Sequence, residues 1–431
     1  MKKILSIVVI FTFMLVLGCA MQTSKQISLI GQDEDIVSGD IDGETDSEQL
    51  EGNVKVAVLL PLSGKAKKIG NILLESAQVA LFELRKSNIE LLPYDTKGTS
   101  FGALNAIKQA AADDVDVVLG PLFSSSTKAV IEVAKLNNLA VLSFSNNQAL
   151  MNNQNVYLMG FTPEQEIERI VNYSLAEGKY GFAALLPNDK YGAAVSKVLK
   201  DTVARKNGKV VKIEYYFKDD TSIESKVKSV LSSYAIPDRI YEEYEQEKEL
   251  NKAKVKEEQV KVEFVVNEED KIYPDTILIT DTGKRIAKIV QTINENKKEG
   301  TEYQLIGNGK WNNDLILSNS ELIGGWFVAP DPDDYKELER KFYGTYGRFP
   351  IRIASLSYDA VMIVNEIFNK RQTDTRQAVI DNLEDYKGFY GIDGPIRFLP
   401  NGLVERRFCI LEVEEDGVSV IDKSLKDFLD Y

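Results

Sequence analysis

Ser125-Ser126-Thr127-Lys128 puts a serine and a lysine one helical turn apart, the S-x-x-K spacing in which an amine can take a hydroxyl proton for acyl transfer. Ser145-Asn146-Asn147 fits S-x-N, a second element of such sites. The third element, Lys-Thr-Gly or Lys-Ser-Gly on a strand, is absent. A serine in that place also serves to cap a helix, and capping is the reading adopted for Ser125. Other chemistry is more firmly excluded. The chain has no histidine, so no imidazole-based nucleophile system, metal site or proton shuttle can be built. Two cysteines are too few for a Cys-only zinc site or an iron–sulfur cluster. A carboxylate pair is allowed by composition, but none is singled out among 66 acids. With 52 Lys+Arg the net charge is −14, which argues against nucleic acid as a partner. No cofactor site is implied.

Strands and helices must position the hydroxyls and amides that remain. Apolar, β-branched runs predict strands at 54–60, 89–93, 115–119 and 140–143, alternating with helical spacing at 69–85, 100–113 and 127–136. The pattern repeats with helices at 164–177, 190–207, 222–234 and 283–296 and strands at 181–186, 209–217, 275–280 and 303–307. Continuous apolar strands between amphipathic helices mean parallel sheets covered on both faces. The fold class is therefore α/β, with two doubly wound parallel-sheet lobes.

In such sheets a ligand sits beyond the carboxyl ends of the strands. The residues in those places are Ser63, Ser124, Ser125, Ser143, Ser145 and Asn146 in the first half. In the second half they are Tyr191, Asp281, Asn308 and Trp311. Each could cap a helix, but as a set they would line a cleft with neutral donors and helix N-termini suited to a carboxylate or other anion.

The amino terminus supplies an address. Lys2 and Lys3 precede an apolar run over 4–17 that ends in Leu17-Gly18-Cys19-Ala20. This resembles the lipobox of bacterial lipoproteins and implies a signal peptide over 1–18 and lipidation of Cys19. By the same resemblance, Ala20 after the cysteine suggests transit to the outer membrane. Removing Lys2 and Lys3 would leave a charge of −14 − 2 = −16. Between Gln22 and Asn53 there are nine acids and one base, Lys25. Residues 19–53 therefore read as a lipidated cysteine and an acidic tether with an r.m.s. span of roughly 30–35 Å. Cys409 has no intramolecular partner left and is expected to be a buried thiol.

Leu60-Pro61-Leu62-Ser63-Gly64, Leu119-Gly120-Pro121-Leu122-Phe123-Ser124-Ser125, Asp189-Lys190-Tyr191-Gly192 and Tyr358-Asp359-Ala360 resemble type I periplasmic binding proteins, the leucine/isoleucine/valine-binding class. The match spans about residues 54–415. Glu90-Leu91-Leu92-Pro93-Tyr94-Asp95-Thr96, Gly309-Lys310-Trp311, Tyr346-Gly347-Arg348-Phe349-Pro350 and the run from Phe389 to Phe398 are similar to a lipoprotein subgroup, the penicillin-binding protein activators. The resemblance implies a three-segment hinge, with crossings near 161–165, 327–331 and 400–404. Lobe 1 would be 54–163 plus 330–401, and lobe 2 would be 164–329 plus 402–431. It also implies that Ser124, Ser125, Ser143, Ser145 and Asn146 stand where the family holds a substrate carboxylate, and that Tyr191 matches a ligand-contacting tyrosine of lobe 2. The acid that holds an ammonium in the family has no counterpart in Gly307-Asn308-Gly309-Lys310-Trp311, and Asp281 is the expected substitute.

Residues 241–270 carry 11 acids and five lysines and read as a solvated helical arm with a short strand at 260–266. Two functions follow. The first is a non-catalytic outer-membrane lipoprotein, anchored through Cys19, that regulates a peptidoglycan synthase, a class A penicillin-binding protein. The second is the substrate-binding protein of an ABC importer for amino acids or another small polar or anionic ligand.

Overall fold

The computed structural model describes residues 53–85, 87–217, 222–254, 263–370, 373, 375–424 and 428. The lipobox with Cys19 and the acidic tether lie outside the described residues. Gln49–Tyr431 forms one compact unit.

The first sheet contains β1 (Val54–Leu60), β2 (Ile89–Asp95), β3 (Val117–Leu119), β4 (Ala140–Ser143) and β5 (Val156–Leu158). Its spatial order is β2-β1-β3-β4-β5, and every pairing is parallel. Between the strands run α1 (Lys67–Glu83), α2 (Ser100–Ala112) and α3 (Ser124–Leu136). Strand β1 shows why both faces must be covered. Val56, Val58 and Leu60 enter one core with Leu73 and Ala77 of α1, whereas Ala57 and Leu59 enter another with Ile107 of α2 and Val130 of α3. Successive side chains point to opposite faces, so a strand that is apolar on both, as β1 is from Val56 to Leu60, needs helices on both.

The second sheet begins after α4 (Pro163–Ala176). It is built from β6 (Gly181–Pro187), α5 (Lys190–Arg205), β7 (Lys209–Tyr216), α6 (Ile223–Leu231), α7 (Asp238–Lys252), β8 (Thr276–Ile279), α8 (Gly283–Asn296), β9 (Gln304–Gly307), α9 (Asp314–Leu317) and β10 (Trp326–Ala329). The same alternation holds: Ala183 and Leu185 face α6 and α8, while Phe182, Ala184 and Leu186 face α4 and α5. The chain then returns to the first core through α10 (Pro332–Tyr346), α11 (Ala354–Lys370) and α12 (Arg376–Leu383). A three-stranded antiparallel sheet follows, β11 (Phe389–Gly391), β12 (Gly394–Phe398) and β13 (Val404–Arg406), whose Phe389, Ile396, Phe398 and Val404 join that core.

Two features depart from the expectation. The second sheet is not wholly parallel: β14 (Cys409–Glu414) and β15 (Gly417–Asp422) add to β10 in antiparallel fashion, giving the order β15-β14-β10-β9-β8-β6-β7. A short turn at Glu415-Asp416 makes this hairpin cheaper than another parallel crossover. The third crossing also falls later than 400–404, because Val404 pairs with Phe398 and Arg406 with Ile396. The chain leaves that sheet only between Arg406 and Cys409. Cys409 is buried and free, with burial raising its thiol above the ordinary range.

The charged segment after residue 240 lies within a closed excursion. Ala235 and Ile272 pair in both directions, at 2.8 and 2.9 Å. Helix α7 buries none of its residues, and Phe264 stacks on Tyr241 and meets Tyr244 edge-on, with centroids 5.1 and 4.8 Å away. Residues 263–266 are not a strand, and 255–262 lie outside the described residues.

Candidate functional site

Parallel strands bring the loops after β1, β3 and β4 to one edge of the first sheet. Ser63 is taken up by structure there. Its N–H and hydroxyl donate to Asp95 at 3.2 and 2.5 Å, and Asp95 also accepts from the N–H groups of Leu62 and Lys97. Those bonds hold the Asp95 carboxyl below the usual range despite partial burial. Ser143 is likewise internal: its hydroxyl pairs with Thr127 Oγ1 at 2.7 Å, donates to the Pro121 carbonyl and accepts from the Ser145 N–H. Neither serine is free for a ligand.

Ser124, Ser145 and Asn146 come together. They line a cavity of about 380 Å³ with Phe123, Phe144 and Phe161 in its walls. Gly120 permits the approach of the β3 loop, since it adopts φ +87° and a Cβ would stand 2.4 Å from the Leu59 carbonyl oxygen. Helix α3 starts behind Phe123 with no side-chain cap, so Ser124 and Ser125 do not play the expected capping role. The first-turn N–H groups keep their anion-favouring dipole. Ser145 Oγ accepts from the Asn147 N–H at 3.2 Å, leaving its own O–H to donate. Ser125 and Lys128 are both exposed, and no hydrogen bond joins them.

The loops after β6, β8 and β9 form the corresponding edge of the second sheet, where several polar side chains pair with one another, while Asn308 Oδ1 and Thr280 Oγ1 are buried without a partner. Asn308 is 2% exposed and donates from Nδ2 to the Tyr191 hydroxyl at 2.7 Å and to Glu166 Oε2 at 2.8 Å. Lys310 donates to the Thr280 carbonyl at 3.1 Å, with Nζ 3.5 Å from the centroid of the Tyr191 ring. Burial lowers its ammonium pKa, partly offset by Asp281, Asp189 and Glu166. Burial raises the Tyr191 hydroxyl in the same way.

Two expectations are corrected here. Asp281 does not stand open for an ammonium: it accepts from Tyr216 at 2.7 Å, from Arg285 at 2.9 Å and from the Thr282 N–H at 2.8 Å. Trp311 is fully buried, donates from Nε1 to the Ile279 carbonyl at 3.0 Å and packs on Phe327. Its indole lies so close to Gly307 that a Cβ there would come within 2.2 Å. It is a core residue.

Sequence reasoning missed Glu166. It sits in the first turn of α4, 8% exposed, with burial raising its carboxyl to about 7 against the pull of Asn308, Lys310, the Gly309 N–H and Arg352. A signal existed: Glu166, Ile170 and Ser174 recur at four-residue spacing on the buried face of one helix. No hydrogen bond among the described residues links Ser124, Ser145 or Asn146 to Tyr191, Asn308, Glu166 or Lys310. The described residues contain no group of acids and cysteines arranged to hold a metal ion and no helix long and apolar enough to cross a membrane.

Two covered α/β sheets with loops gathered at the strand ends define a binding-protein architecture. Residues 53–418 match the family model described as periplasmic binding protein, and the chain belongs to that family. An uncharacterised protein of Rickettsia prowazekii is 26% identical over 371 residues, 85% of this chain and 87% of the relative. The penicillin-binding protein activator LpoA of Glaesserella parasuis is 24% identical over 168 residues, which is 39% of this chain and 28% of that protein. Among solved structures, a putative branched-chain amino acid ABC transporter protein of Rhodospirillum rubrum superposes with a TM-score of 0.69 at 17% identity, over 86% of this chain and all of that one. A solute-binding protein of R. palustris in complex with benzoate gives 0.57 at 15% identity, over 87% and 98%. These likenesses carry the fold.

Proposed function

We propose that the chain is a non-catalytic outer-membrane lipoprotein, anchored through Cys19, whose binding-protein body regulates a peptidoglycan synthase of the class A penicillin-binding protein type by direct contact. The observation that carries this reading is the second-sheet edge, where Lys310, Tyr191, Asn308, Glu166 and Asp281 already pair with one another or with their own loops. A ligand that broke the Asn308–Glu166 pairing would leave buried polar groups unpaired, since both residues are buried. A protein partner that uses the outer surface would not. The partial likeness to an activator supports the same assignment.

A second reading, a receptor delivering a small anion to an importer, is favoured by one observation. The 380 Å³ cavity on the first-sheet edge joins aromatic walls to Ser124, Ser145, Asn146 and an uncapped helix. A thermal-shift screen with amino acids, aromatic carboxylates and peptidoglycan fragments separates the two. A bound ligand at a hundredfold excess over Kd stabilises by about 2.7 kcal/mol. No shift together with co-purification of a peptidoglycan synthase is the expected result. A strong shift with one ligand and no synthase contact overturns it in favour of the receptor.

A further inference from the structure

A second cavity, of about 300 Å³, opens on the first lobe away from the loops described above. The end of α1, the first turns of α10, the middle of α11 and the β11–β12 turn enclose it. Its wall is acidic, and most of that charge is already answered. Lys341 pairs with Glu83 at 2.7 Å and Glu337 at 3.3 Å, and Lys336 pairs with Asp333 at 2.8 Å.

Two carboxylates in the wall have no ion pair. Asp334 meets only the Tyr390 hydroxyl, at 3.4 Å, and burial with Asp331 and Asp333 nearby raises its pKa. Asp359 is fully buried; its Oδ1 accepts from the Ile392 N–H at 2.7 Å, but its Oδ2 has no hydrogen-bond partner. Arg406 acts on it through charge alone and donates instead to the Met159 carbonyl at 2.8 Å. Gly391 lines the cavity beside this carboxyl, and a Cβ there would come within 2.5 Å of it. A side chain at 391 would thus close off the one unpartnered oxygen. Met362 and Ile392 add an apolar wall, and the exposed ring of Tyr390 stands at the mouth.

Unanswered carboxylates, an apolar wall and an aromatic face together recognise a cationic head on an alkyl stem. We propose that this cavity binds an alkyl guanidinium or ammonium, with the head between Asp334 and Asp359 and the stem along Met362 and Ile392. The acids are not gathered as a metal set, which sets the ligand apart from an inorganic cation. The same chemistry is carried by a free amine and by a basic side chain of a partner protein.

Calorimetric titration of the intact protein with agmatine and with N-acetylarginine amide tests this, with butanol as the uncharged control. The expected result is saturable binding of at least one cation, none of butanol, and about tenfold or greater weakening in Asp334→Asn. Tighter binding of blocked arginine assigns the site to a protein side chain, and binding of agmatine alone assigns it to a free amine. Asp334 is a half-buried residue in the first turn of α10 whose carboxyl meets only Tyr390, and matching melting curves verify that the variant folds. Gly391→Ala should abolish binding. Failure of both cations to saturate overturns the proposal, as does undiminished binding in folded Asp334→Asn.

Discussion

The two sheet edges are built alike and finished differently. Each gathers three loops at the carboxyl ends of parallel strands, and in each lobe two of the following helical turns start at Ser, Thr or Asn. On the first edge the aromatic rings of Phe123, Phe144 and Phe161 hold a cavity open, and the start of α3 carries no side-chain cap. On the second edge Lys310 lies on Tyr191, Asn308 joins Tyr191 to Glu166, and Asp281 is spent on Tyr216 and Arg285. One edge has polar capacity left over, whereas the other has used most of its capacity to hold itself together. The same architecture can therefore present a binding surface in one lobe and a structural plug in the other.

If the second edge is structural, its substitutions must register as stability. The largest effect should come from Trp311→Ala, which removes a fully buried indole and its bond to Ile279. A loss of about 3–5 kcal/mol is expected in urea unfolding. A loss below about 1 kcal/mol would mean that the loop is not packed as core.

Glu166 gives the next largest effect and a sign. Its folded pKa, about 7, lies above the ordinary glutamate value, so the protonated form is the one the fold favours. Its contribution is fully present below the unfolded pKa and is lost as pH rises through about 7, amounting to about 3 kcal/mol. Asp359, also raised to about 7 by burial and by Asp393, slopes the same way. Glu166→Gln should therefore flatten, without abolishing, the fall in unfolding free energy between pH 5 and pH 8. An unchanged slope would show that Glu166 is not buried as a carboxylate.

Lys310→Met should cost less, about 0.5–2 kcal/mol, since it removes a cation–π contact and one hydrogen bond while keeping the stem. The discriminating readout is ligand screening of the variant. Acquisition of affinity for a small amine would mean that the lysine had been occupying a binding subsite and would sharpen the contrast between the edges. A thermal shift of the wild-type protein with such an amine, lost when Tyr191 is replaced, would break it.

How far these differences are legible in the chain depends on their range. The alternation of Val56, Val58 and Leu60 with Ala57 and Leu59 is local, and it gives both sheets and their helices. The Asp281–Arg285 pair is also local, joining the residue before the cap of α8 to its first turn at a spacing of four, and it should have removed Asp281 from the ligand set at once. Glu166 and Asn308 are 142 residues apart in sequence, and only the meeting of α4 with the loop after β9 makes one explain the other. The fit of Trp311 against Gly307 is invisible for a different reason: a glycine reads as a turn until its missing Cβ is seen to be filled by an indole. The antiparallel end of the second sheet went unread because apolar strands look alike whatever their direction.

The smallest effect on stability is expected on the first edge, and that is why it tests the contrast best. Asn146 is exposed and lines the cavity without serving as a cap or core group. Asn146→Ala should change the unfolding free energy by no more than about 0.5 kcal/mol, the range of surface substitutions without a structural role. If the first edge receives carboxylates, the same variant should still lose the thermal shift given by an aromatic carboxylate, while Lys310→Met keeps it. A variant that melts early would place Asn146 among the structural groups and make the two edges equivalent. A variant that melts normally and binds normally would move the polar contact to Ser124, Ser145 and the α3 backbone, which need no side chain at 146 to hold an anion.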